Sequence, residues 1–94
     1  MLQEVGLSEV RQEGRRRRRE RFVAAIDATG VTQADLARRM NREGLKTAPT
    51  TVNRWYVGAA NIDEDMLTFV MQLLGLPASW QAGDPVPDDA APAT

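Results

Sequence analysis

Glycine at positions 14, 30, 44, 58 and 75 divides the chain, and between these cuts the apolar residues return at helical spacing. Phe22, Ala25, Ile26 and Thr29 stand at i, i+3, i+4 and i+7. Leu36, Ala37 and Met40 repeat the pattern, Val52 and Trp55 repeat it again, and Ile62, Met66, Phe69, Val70, Leu73 and Leu74 form the longest stripe. This period predicts helices, and no segment alternates convincingly at period two, so no strand is expected. The fold class is all-α, a compact bundle of four to five short helices. A chain of 94 residues makes one domain. Its core is small enough to gain stability from self-association or from a bound ligand.

Local signals set the expected boundaries. Residues 1–13 carry Leu2, Val5, Leu7 and Val10 and read as an N-terminal arm or short helix, broken by Gly14. Arg15–Thr29 reads as a helix closed by Gly30. In the helix over Val31–Glu43, Thr32 is the N-cap and Asp35, three residues on, is placed to reach back to its amide. Val31 and Leu36 are spaced as a hydrophobic staple. Pro49 suits the first turn of a third helix that ends near Val57, before Gly58. Asn61 is expected to cap the fourth helix, with Glu64 as its partner, while Asp63, Glu64 and Asp65 complement the helix dipole. Gly75 and Pro77 stop that helix, and Ala78–Gln81 is read as one further turn, with Trp80 either docked in the core or exposed as a dimer contact. Residues 14–82 are thus the folded domain. Residues 83–94, rich in proline and aspartate, are expected to be a disordered acidic tail.

Composition removes several functions. With no cysteine there is no disulfide or thiolate metal site, and with no histidine the commonest general base and nitrogen ligand are missing. No nucleophile–base pair, phosphate-cradling loop or ligand cluster is recognisable, so neither an enzyme nor a cofactor is expected. No apolar run spans a bilayer and no signal peptide precedes the basic run, which leads to the expectation of a cytoplasmic protein. The net charge of −1 conceals a strong asymmetry. All 12 basic residues lie between Arg11 and Gly58 with only five acids, so that stretch carries +7 and the flanks carry the remaining eight acids. Such a division points to a polyanion as partner of the middle segment.

The two short amphipathic segments Thr32–Met40 and Thr50–Trp55 give the layout of a helix-turn-helix. Gln33-Ala34-Asp35-Leu36-Ala37-Arg38-Arg39-Met40, then Thr51-Val52-Asn53-Arg54-Trp55 and Gly58, resemble the phage repressor and Cro-type family, the lambda-repressor-like or XRE class. The resemblance covers roughly residues 21–76, including the following apolar helix that ends Leu74-Gly75-Leu76. It implies a DNA-binding transcription regulator of Cro-like size that reads a palindromic double-stranded operator as a homodimer. The chain departs from the pattern in one place: Asn41–Ala48 is several residues longer than the family's usual turn. Longer spacings occur in excision-type recombination proteins, which keeps a DNA-architectural role as an alternative.

Stepping 100° per residue around the third helix puts Val52, Trp55 and Tyr56 inside and Thr50, Arg54 and Val57 outside, with Thr51 and Asn53 on the shoulders. An outward Arg can fork onto guanine, Asn can pair with adenine, and Thr can meet a thymine methyl. Thr50, Thr51, Asn53 and Arg54 are therefore the candidate base readers. Pro49 stands where the family often has a polar reader, and Lys46 or Thr47 can substitute for it. By resemblance Gln33 contacts a phosphate. Lys46, Thr47 and Asn61 join it as phosphate candidates, as do the run Arg15, Arg16, Arg17, Arg18, Arg19 and Arg21. The competing readings are a solvated charge run, an arginine-rich RNA-binding helix, and an antitoxin-like interaction module. Neither a small-molecule ligand nor a membrane partner is expected. The helix at Ile62–Leu74 is read chiefly as core, with a dimer surface as the alternative.

Overall fold

The structure is a computed structural model and describes residues 6–88 and Ala90. Four helices follow in order: α1 (Leu7–Thr29), α2 (Gln33–Arg42), α3 (Pro49–Val57) and α4 (Glu64–Leu73). Among the described residues there is no strand, and the chain is an all-α bundle.

Three helices are short, but α1 is not. It runs unbroken through Gly14 for 23 residues, roughly 34 Å, which corrects the expected break at that glycine. The residues around it supply the reason. Glu13 accepts from Arg16 at 2.6 Å and from Arg17 at 3.1 Å, and Arg16 lies 3.8 Å from Glu20. Each such exposed pair is weak, but several at i+3 and i+4 spacing favour the helix. They act at the position where glycine would otherwise disfavour it. The hydrogen bond from Arg16 holds the Glu13 carboxyl below its ordinary pKa. Leu7 and Val10 thus belong to the helix, while Leu2 and Val5 lie outside the described residues.

The C-terminal half of α1 buries Phe22, Ala25 and Ile26 in the shared core and packs on α3 and α4. The Phe22 ring meets Trp55 of α3 edge to face, with centroids 5.9 Å apart, the arrangement that aromatic quadrupoles favour. Leu36, Ala37 and Met40 of α2 join this core, as do Val52 of α3 and Leu67, Val70, Met71 and Leu74 at α4. The fourth helix starts later than expected. Asp63, not Asn61, is the N-cap, and its carboxylate accepts from the Met66 amide at 2.7 Å. Burial explains the shift: Ile62 is 2% exposed and sits one residue before the cap, with the buried Leu67 at the matching staple position.

Beyond α4, Trp80 takes the docked rather than the exposed of its two expected places. Its backbone amide donates to Pro77 O and its side chain is buried. Residues 83–88 and Ala90, expected as a disordered tail, form turns against the bundle. The Trp80 indole donates to Pro85 O, Val86 is half-buried and Ala90 is buried. One large aromatic anchors a segment that has little apolar surface of its own. The remainder of the expected tail, residue 89 and residues 91–94, lies outside the described residues.

Candidate nucleic-acid interface

The frame is the α2–turn–α3 unit. Thr32 caps α2 as expected, accepting from the Asp35 amide at 3.0 Å. The Asp35 carboxylate is engaged elsewhere, with Arg38 at 3.1 Å and Arg39 at 2.9 Å. This buried acid therefore fixes the outer face of α2 rather than completing a capping box. Gly44 takes φ of 89°, and Gly44 N–H and Leu45 N–H return to Asn41 O and Met40 O. These two bonds make a Schellman stop and turn Leu45 inward.

The long connection is ordered by one side chain. The Asn41 amide donates to Ala37 O and Thr47 O, both at 2.7 Å, and its oxygen accepts from Thr47 N–H at 2.9 Å. All the polar capacity directed at the turn is used, so residues 43–48 are clamped in place. Sequence reading missed this role of Asn41. Its only signal was an amide side chain just ahead of a helix-stopping glycine.

The connection delivers α3 in the expected register. Val52 is fully buried and Trp55 nearly so, Tyr56 is half-buried, and Thr50, Asn53 and Arg54 are exposed. Thr51 is half-buried on the shoulder, and Val57 is 55% exposed on the outer face. Thr32 caps α2 and Asp63 caps α4, whereas Ala48 at the head of α3 supplies no side-chain cap. Pro49 has no N–H to satisfy and the Thr51 amide donates to Ala48 O at 3.0 Å, so in the first turn of α3 only the Thr50 amide is left for an outside acceptor.

α3 is braced against α1 at its far end. The Tyr56 hydroxyl donates to Asp27 at 2.8 Å, and Arg19 Nε donates to Tyr56 O at 3.0 Å. The bond to Asp27 raises the Tyr56 pKa above its ordinary value. Gly58 ends the helix at φ of 85°, a left-handed conformation that favours glycine, and a Cβ there would press on the Arg19 side chain at 3.1 Å.

The arginine run divides into two groups. Arg18 donates to Ile62 O at 2.9 Å, and Arg21 donates to Ala78 O and Trp80 O. They tie α1 to the segments that follow α3 and α4, while Arg19 ties it to the last turn of α3. Arg15, Arg16 and Arg17 are exposed. Arg15, Arg16 and Arg19 share with Gly58 and Asn61 the walls of an open hollow of about 340 Å³. The structure thus brings Asn61 and part of the run together beside the end of α3. Gln33 stands in the first turn of α2, half-buried; Lys46 is exposed in the connection, and Thr47 is half-buried within the Asn41 clamp. Sequence reasoning missed the structural duties of Arg18 and Arg21, because their carbonyl partners lie 44 residues away for Arg18 and 57 and 59 for Arg21.

Comparison with known proteins returns no match: no family model, no curated protein and no solved structure aligns significantly with the chain.

Proposed function

We propose that this protein is a sequence-specific double-stranded DNA-binding regulator of the small repressor or Cro type, with α3 as its major-groove reader. One observation carries this reading. A helix-turn-helix unit holds an uncapped nine-residue helix whose inner side is sealed by Val52 and Trp55 and whose outer side offers Thr50, Asn53, Arg54 and Val57. These groups suit base edges: a forked donor for guanine, an amide for adenine, and methyl-bearing side chains for thymine. The charge distribution supports the same reading, since the stretch of +7 contains both α3 and the arginine run.

The division of labour follows from the contacts. Arg54, Thr50 and Asn53 read bases, with Thr51 at the edge. Gln33, Lys46, Thr47, Asn61, Arg15, Arg16, Arg17 and the free end of Arg19 meet phosphates and set register. Arg18 and Arg21 position α1 instead. A palindromic operator and a homodimer on it follow from two-fold symmetry. Selection of bound duplexes from a random library tests the proposal. Enrichment of a symmetric consensus is expected, and recovery of unenriched duplexes, or preference for structured RNA, would overturn it.

A further inference from the structure

The apolar residues of α4 form two stripes. Leu67, Val70 and Met71 face inward and are buried. Met66, Phe69 and Leu73 stand at i, i+3 and i+7 on another side and remain half-buried. With Leu45, Met66 and Phe69 floor an open hollow of about 420 Å³. Glu43, Asp63 and Asp65 rim it, and no cation lines it among the described residues. A helix apolar on two sides needs a cover on both, and the bundle covers this second side only in part.

The same chain carries the inverse pattern. The N-terminal half of α1 buries nothing, and its Leu7 and Val10 are 63% and 56% exposed. Arg11, exposed, follows Leu7 by one helical turn on the same face. Apolar and cationic groups on this half of α1 match the apolar floor and anionic rim of the hollow. Since α1 is one unbroken helix, this half cannot fold back onto its own α4.

We infer that the hollow is filled by the N-terminal half of α1 from a second copy of this chain, exchanged reciprocally in a two-fold dimer. A stable interface buries roughly 1,200–2,000 Å², and reciprocal exchange makes the same contact twice. The pairing is independent of the DNA-reading proposal, because it is measured on free protein.

Sedimentation equilibrium on the full chain, without DNA, tests it. At about 100 µM the protein is expected at twice its 10.4 kDa chain mass. L7E/V10E is expected to weaken the dimer by at least about tenfold, and R11E and D65K to do so singly. All four positions are exposed, so the variants keep their fold, which circular dichroism verifies. The R11E/D65K double variant is expected to recover affinity over either single variant. A monomeric parent at that concentration overturns the inference, and so does a dimer indifferent to L7E/V10E. Indifference to D65K means that α1 pairs with something other than the α4 hollow, which overturns it equally.

Discussion

Arg54 and Tyr56 are two residues apart on α3 and do opposite things. Arg54 is exposed on the outer face, and the proposal makes it the principal base reader. Arg54→Ala is expected to cost about 1–3 kcal/mol on the selected operator and far less on random DNA. Fluorescence anisotropy titrations against both duplexes check this, and equal losses would remove Arg54 from that role. Tyr56 turns inward and donates to Asp27. It is the sole tyrosine of the chain, so the ultraviolet absorbance of tyrosinate titrates it alone. The native midpoint is expected above 10.0 and to fall toward that value in urea. A raised native pKa stabilises the protonated form. The contribution to stability is therefore complete below about pH 10 and lost as pH climbs through the native value. Glu13 has the opposite sign: its lowered pKa means that its contribution to α1 is present above 4.5 and lost on acidification.

Among the elements, α1 departs most from what its sequence suggests. Gly14 reads as a break, yet flanking ion pairs carry the helix through it. A Cβ at this position would meet only the tip of the Arg18 side chain, at 3.1 Å, and that tip can yield. Gly14→Ala is therefore expected to raise stability by about 0.5–1 kcal/mol, read as a higher urea midpoint at unchanged slope. A loss would mean that the Arg18 bond to Ile62 O is worth more than the helix gain. By contrast, α2 and α3 were legible nearly to the residue. Thr32 and Pro49 mark their starts, Gly44 and Gly58 their ends, and every one of these signals acts within a few residues of itself. The cap of α4 was misplaced by two residues because Asn61 and Asp63 are equally good caps locally. The burial of Ile62 decides between them, and that is a tertiary fact.

At the scale of the whole molecule, the arginine run joins the bundle to its surroundings. Its exposed members and its docked members should separate by experiment. Neutralising Arg15, Arg16 and Arg17 to Gln is expected to reduce the log–log salt slope of DNA binding by about 2.7 units. Thermal stability should fall modestly, because Glu13 loses its exposed partners Arg16 and Arg17. Arg21→Gln is expected to lower the thermal midpoint further and to leave the slope unchanged, since Ala78 O and Trp80 O lose their donor. Binding isotherms over a salt series, paired with thermal melts, check both, and an unchanged slope in the triple variant would leave those arginines without phosphate partners.

Periodicity, caps and glycine stops, all local, determined that this chain is helical, where α2 and α3 lie, and which side of α3 faces outward. The same local chemistry determined that positive charge gathers around α3. Only the tertiary structure decided which arginines hold carbonyls, because donor and acceptor are tens of residues apart. It alone decided that Asn41 clamps the long connection and that Trp80 gathers the segment behind it. The second apolar stripe of α4 was also its decision, since the sequence lists apolar residues without stating how many of them one small core can cover.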